Sequence, residues 1–338
     1  MHSAKEGDVK VHIHGEDLSI HFTESGPKDK PVLVCFHGNS GSSRDFYTPL
    51  DKLSSKYRVI AFDLPGHGKS TAVTKEENKE KIYSFPGYAD VMAKAIKALN
   101  IDSYYVLGVS LGGHNALSLL AKKDDSKAEA DVRETASKIK GVIITGTPPL
   151  DFSLTKQEEV MGQFMKGFRQ DFIAKLSQEI REEMQQLGIP HLGALLSYEK
   201  DLNDDSPQSN RLAELFVLLQ GIELTSENRF MVDMAKAAKG EARKYMIGSM
   251  LKGGIDNQRK TVEEATVPLK IIAGIQDRGI SLEYLETLQL SSTGQLKKLE
   301  GEHGVFLQDN FNQEVDKFIT EVIASKYVGQ KPSPSIKR

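Results

Sequence analysis

Two rhythms of apolar residues alternate along this chain. Short runs that are apolar at nearly every position read as strands buried on both faces, as in a parallel sheet. They occur in "PVLVCFHG" (31–38), "YRVIAFDLPG" (57–66), "YYVLGVS" (104–110), "IKGVIITGTPP" (139–149) and "PLKIIAGIQD" (268–277), with a sixth expected in "QLKKLEGEHG" (295–304). Between them lie stretches with helical spacing: 43–55, "YADVMAKAIKAL" (88–99), "LGGHNALSLLA" (111–121) and a final helix over 311–326. Ahead of all of these, "VKVHIHG" and "LSIHFTE" alternate with period two and predict a hairpin about Gly15-Glu16-Asp17. Strand-helix alternation of this kind predicts an α/β core with right-handed crossovers.

Two segments break the rhythm. Residues 122–138, "KKDDSKAEADVRETASK", are almost all charged or small and read as a solvated helix extension or loop. Residues 150–265 carry long helical patterns, such as "KQEEVMGQFMKGFRQDFIAKLSQEIREEMQQLG", and no convincing strand. An insertion of that size after the fourth parallel strand predicts a helical cap over the C-terminal edge of the sheet, where open α/β folds place their ligands. The expected division is a core of residues 1–149 and 266–327, a cap of 150–265 and a polar, Pro-rich, disordered tail of 328–338.

Composition narrows the class. Of 338 residues, 39% are apolar and 27% charged, ordinary for a water-soluble globular protein. Lys plus Arg is 44 and Asp plus Glu 47, a net charge of -3, which gives no electrostatic case for a nucleic-acid partner. The single cysteine, Cys35, excludes an intramolecular disulfide. With no apolar leader and no run long enough to span a bilayer, the expectation is a cytoplasmic protein.

The chemistry starts at Gly108-Val109-Ser110-Leu111-Gly112, a G-x-S-x-G between a strand and a helix. A turn that sharp forces the serine into strained torsions and requires small neighbours, while the helix N-terminus aims free N–H groups at whatever the serine attacks. Of the nine histidines, His303 in "GEHGVF" is the expected general base, because it follows the last strand at the sheet's C-terminal edge. His12 and His14 share one face of the first strand and read as exposed polar residues; His114, one turn past Ser110, reads as a packing or hydrogen-bonding residue. Asp277, in the loop after "KIIAG", is the expected carboxylate that orients the imidazole, with Asp151 as its rival. The oxyanion hole is expected from the backbone N–H groups of Leu111 and Asn39, the latter in the small-residue loop "HGNSGSS". "DLPGHGKST" imitates the end of a phosphate-binding loop but has Asp63 where that loop needs glycine, so it reads as a structural turn.

In order along the chain, "FHGN", "DLPGHGKS", "GVSLGG", "GIQD" and "EHG" resemble the α/β-hydrolase superfamily. Within it, "HGNSGSS", "YRVIAFDLPGHGKST", "GYADVMAKAIKALNI", "SLGGH", "ITGTPP" and "GGIDNQRKTV" are similar to the N-acyl homoserine lactonases of the α/β-hydrolase type. The resemblance covers most of 30–150 and resumes over 253–305, and leaves most of the cap unmatched. It implies an α/β-hydrolase fold, a mostly parallel central sheet flanked by helices with a helical cap. It also implies a catalytic set of Ser110, Asp277 and His303 with Asn39 in the oxyanion loop. The implied activity is hydrolysis of a small-molecule carboxylic ester or lactone through an acyl-enzyme, without metal or organic cofactor. Aminopeptidase or thioesterase activity on the same three residues, and a non-enzymatic ligand-binding protein of this fold, are the other classes. "FVLLQGIEL" and "RFMVDMAKAA" are read as helix cores before pocket linings.

Overall fold

Eight strands assemble into one sheet in the computed structural model, which describes residues 4–328; the expected disordered tail lies outside the described residues apart from Val328. They are β1 (Lys5–Ile13), β2 (Glu16–Ser25), β3 (Val32–Phe36), β4 (Arg58–Phe62), β5 (Tyr104–Val109), β6 (Ile139–Thr145), β7 (Leu269–Gly274) and β8 (Gly294–Leu299). Their spatial order is β1-β2-β4-β3-β5-β6-β7-β8. Strands β3 to β8 pair in parallel, and β1 and β2 join antiparallel at the β4 edge. This is the α/β-hydrolase fold.

The near-continuous apolar runs follow from burial on both faces. Val34, Phe36, Ile60, Phe62, Val106, Val142 and Ile144 pack on one side against helices Phe85–Ala98 and Leu111–Ala121. Leu33, Cys35, Val59, Ala61, Leu107 and Ile143 pack on the other, against Phe311, Val315, Phe318 and Ile319 of helix Asp309–Val328. Burying one such Phe or Leu contributes about 1.5–3 kcal/mol. Period-two alternation thus survives inside the runs as a choice of face, with both faces apolar.

Three local expectations need correction. The β1–β2 hairpin turns at His14 and Gly15, both with positive φ (50 and 71), so His14 is a turn residue and only His12 stays on the strand, bonded to Asp17. Segment 122–138 is more than a solvated extension: Val132 and Ala136, four residues apart, are buried on helix Ala130–Ser137. The long helical pattern from 156 breaks after helix Gln157–Gly167 and resumes at Gln178–Gln186. A Cβ at Gly167 would come within 2.7 Å of the Leu150 side chain, which would have to shift, and Phe168 turns extended to bridge Ile280.

Between β6 and β7 the chain is helical, apart from isolated bridges such as Asp151 with Asn257. Arg243, fully buried on helix Gly240–Lys252, clasps this segment. It donates to the carbonyls of Tyr198 (2.8 Å), Lys200 (2.7 Å) and Ala238 (3.0 Å). Its guanidinium also reaches Ser40 Oγ at 3.5 Å, in the loop after β3. All the loops that carry candidate site residues leave the C-terminal ends of β3, β5, β7 and β8.

Candidate active site

Ser110 stands between β5 and helix Leu111–Ala121 with φ 53 and ψ -116, a conformation that costs about 1–3 kcal/mol for a non-glycine residue. Its backbone is held from both sides: the N–H donates to Thr145 O (2.8 Å), and the carbonyl accepts from Thr147 Oγ1 (2.8 Å) and Gly113 N (2.9 Å). The flanking glycines are required by contact. A Cβ at Gly108 would strike the Gly112 carbonyl, and one at Gly112 would strike the carbonyl of Phe36. The sharp turn therefore exists because the backbone of β3 and the start of the helix nearly touch there.

His303 begins the short helical turn after β8 and is nearly buried. Its Nδ1 lies 2.8 Å from Asp277 Oδ2. The other Asp277 oxygen accepts the N–H groups of Gly279 (2.8 Å) and Ile280 (3.0 Å), which fixes the carboxylate plane. Burial alone would raise the Asp277 pKa, but the facing imidazole and these donors hold it below the usual range. Burial pulls the His303 pKa down, and the charge of Asp277 together with its hydrogen bond outweighs this, leaving it raised. An ionised Asp277 fixes the proton on Nδ1 and leaves Nε2 with its lone pair, the form a general base needs. His303 and Ser110 line one small cavity, with Gly38 and Asn39. Asp151, the rival acid, instead accepts from Ser153 N and Oγ (3.0 and 2.6 Å).

A buried histidine that sequence reasoning passed over organises the loop after β3. His37 Nε2 accepts from Leu64 N (2.9 Å), so Nδ1 carries the proton and donates to Gly38 O (2.7 Å). Burial lowers its pKa despite the nearby Asp63 charge, keeping it neutral. Because a trans peptide points C=O and N–H in opposite directions, this bond fixes where the Asn39 N–H aims. The Asn39 side chain donates to Leu196 O (2.9 Å), tying the loop to the helical segment above. Leu111 is the first residue of its helix, where the N–H has no acceptor within the helix. The sign available in the sequence was the histidine before Gly38. Asp63, in the turn read as structural, accepts from Ser43 N (2.6 Å) and Lys69 N (2.7 Å), joining the two loops.

Above Ser110 opens a cavity of about 520 Å³. Its walls are mainly Phe85, Phe164, Phe168, Phe172, Leu192, Leu196, Met246, Ile247 and Met250, with His114 and the backbone-tethered Asn39 as polar members near the serine. Among the described residues no Asp or Glu lines it. A side chamber of about 80 Å³ holds His303 and is closed by Phe216, Leu219 and Gln220. The stretch "FVLLQGIEL" thus has a double role, core and chamber wall, whereas Met231, Val232 and Met234 of "RFMVDMAKAA" are buried in the core and lie outside both cavities.

Comparison with known proteins agrees with this architecture. Residues 31–186 match the family described as alpha/beta hydrolase fold. The chain is 36% identical over 96 residues to the magnesium-chelatase 30 kDa subunit of Rhodobacter capsulatus, which is 28% of this chain and 32% of that one. It is 30% identical over 117 residues to the 2-hydroxy-6-oxononadienedioate/2-hydroxy-6-oxononatrienedioate hydrolase of Escherichia coli (strain K12), 34% of this chain and 39% of that one. The chain thus spans about a third of the length of these curated relatives. It belongs to the α/β-hydrolase superfamily. Over nearly its whole length it is similar to N-acyl homoserine lactonase AidH in complex with N-butanoyl homoserine: TM-score 0.69, 26% identity, 94% of this chain and 97% of that one. A putative aryl esterase from Burkholderia cenocepacia, at 17% identity and TM-score 0.67 over 94% of this chain and 100% of that one, shares the fold. Among the described residues no helix is long and apolar enough to cross a membrane.

Proposed function

We propose that this chain is a serine hydrolase of carboxylic esters and lactones, with N-acyl homoserine lactones as its preferred class. The observation that carries the reading is the Asp277–His303 pair opening onto the same cavity as a serine held in a strained turn. In the reaction, Ser110 Oγ attacks the carbonyl carbon and its proton passes to His303 Nε2. The N–H groups of Leu111 and Asn39 hold the oxyanion, and loss of one such donor slows acyl transfer about 10²- to 10³-fold. Collapse breaks the acyl–oxygen bond, His303 returns the proton to the leaving alkoxide, and water activated by His303 then cleaves the acyl-enzyme. For a lactone the leaving hydroxyl stays attached to the acyl group. Residues 150–265 act as the cap over this site, their apolar wall taking the acyl chain.

The cavity lining favours this reading over an aminopeptidase. Binding a free substrate ammonium in an apolar site calls for a carboxylate partner, and among the described residues none lines the cavity. Proton release in a pH-stat on N-hexanoyl homoserine lactone tests the reading directly. Turnover is expected from the wild type. Hydrolysis of p-nitrophenyl butyrate without turnover of the lactone would keep the ester chemistry and remove the lactone.

A further inference from the structure

The serine's own helix carries a second polar arrangement that the mechanism above does not use. His114, one turn after Ser110, lines the large cavity yet is almost wholly buried. Its Nδ1 lies 2.6 Å from Gln258 Oε1. The orientation of that amide is set by its other end, where Nε2 donates to the backbone carbonyl of His114 (3.1 Å) and to Ser118 Oγ (3.2 Å). A carbonyl can only accept, so the amide nitrogen must lie on that side and Oε1 must face the imidazole. The Ser118 hydroxyl is in turn directed to Asp256. Proton positions therefore follow link by link from Asp256 to His114: Nδ1 carries the hydrogen and Nε2 keeps a lone pair. Burial pushes the His114 pKa down to about 4, so the ring is neutral at ordinary pH.

What remains of the ring for a ligand is narrow. Phe85 stacks on one face, with centroids 4.6 Å apart and planes at 17°, and Phe152 meets it edge-on at 5.5 Å. With Nδ1 committed to Gln258, the nitrogen left to a molecule in the cavity is Nε2, an acceptor without a proton. Of the other polar side chains that line the same cavity, Gln157, Gln170 and His191 are exposed to solvent, where water competes for them, Arg169 is paired with Asp171, Ser197 donates to Gly193 O, and Asn39 is bonded to Leu196 O and Ser40 Oγ. A largely apolar cavity with an almost wholly buried acceptor near the nucleophile selects for a substrate with a donor near its reacting carbonyl.

We propose that His114 is a specificity-determining residue whose Nε2 accepts a hydrogen bond from an amide N–H one carbon away from the scissile carbonyl, with Gln258 as the positioning residue that sets its tautomer. The substrate class is then esters and lactones of N-acylated amino acids, in preference to plain acyl esters. This rests on the ester-hydrolase part of the proposed function and deepens it, but does not require the lactone.

A pair of chain-matched substrates tests it: p-nitrophenyl N-butanoylglycinate, which has the N–H, and p-nitrophenyl heptanoate, which lacks it. Each kcat/KM is normalised to the substrate's own hydroxide-catalysed rate. Wild type is expected to prefer the amide substrate by about tenfold or more, because the plain ester leaves a buried acceptor unpaired. His114→Phe keeps the aromatic stack and is expected to erase most of that preference. Gln258→Leu, which touches no substrate, is expected to reduce it as well by releasing the tautomer. A purely structural role would lower both rates together and leave the ratio intact. An unchanged ratio in whichever variant folds, or no preference in the wild type, overturns the proposal. Failure of the wild type on N-hexanoyl homoserine lactone would count against the lactone alone, since the ester pair is read separately.

Discussion

Replacing Ser110 by alanine is expected to cut kcat/KM on any hydrolysed ester by about 10⁴-fold or more while leaving the fold intact. The expectation is strong because the hydroxyl is the only atom removed. The turn is held by main-chain bonds to Thr145, Thr147 and Gly113, none of which uses Ser110 Oγ. The variant should therefore unfold at a denaturant midpoint close to that of the wild type. Initial rates with p-nitrophenyl butyrate, together with that midpoint, check both halves. Activity retained within tenfold would mean that another group attacks the carbonyl.

Asp277→Asn is expected to lower kcat about 10⁴-fold, because the amide can present its N–H₂ to Nδ1 and favour the wrong imidazole tautomer. The pH profile carries the sign. In the proposed role His303 acts as a base only when neutral, and the charge and hydrogen bond of Asp277 together outweigh burial and hold its pKa above the ordinary imidazole value. Wild-type kcat/KM should fall as pH falls, with its inflection above about 6.5. In Asp277→Asn the counter-charge is gone while the burial remains, so the residual activity should persist to lower pH. A wild-type inflection below that of the variant would contradict the assignment of Asp277 as partner. Kinetics over pH 5–9 on one p-nitrophenyl ester measures both.

The parts of the site that were legible in the sequence are those in which chemistry and backbone geometry coincide. Gly108 and Gly112 mark a turn because no side chain fits against the Phe36 and Gly112 carbonyls, and that turn is what exposes Ser110. His303 and Asp277 were readable as candidates because each sits in the loop that leaves the C-terminal end of a parallel strand, at the same edge of the sheet. The cavity wall was not readable. Phe168, Phe172 and Leu196 are apolar at helical spacing whether they face a void or a core, and hydrophobic pattern cannot separate the two. The helical pattern stops after Gly167 where Phe168 turns extended to bridge Ile280, a pairing with a residue 112 positions away that the local pattern does not announce. The His114–Gln258 bond joins positions 144 residues apart, and the His37 clamp depends on Leu64 across a neighbouring strand. Such pairings arise from the register of β3 with β4 and from the docking of the helical segment between β6 and β7, whose last helix begins at Gln258.

The central claim is that Ser110, served by His303, is the covalent nucleophile. Brief treatment with a fluorophosphonate, followed by peptide mapping in the mass spectrometer, tests it most directly, with Ser110→Ala and His303→Ala in parallel. The account predicts one stoichiometric adduct on Ser110 in the wild type, much slower labelling in His303→Ala and none in Ser110→Ala. An adduct on a different residue, or labelling of Ser110 at the same rate without His303, would contradict it.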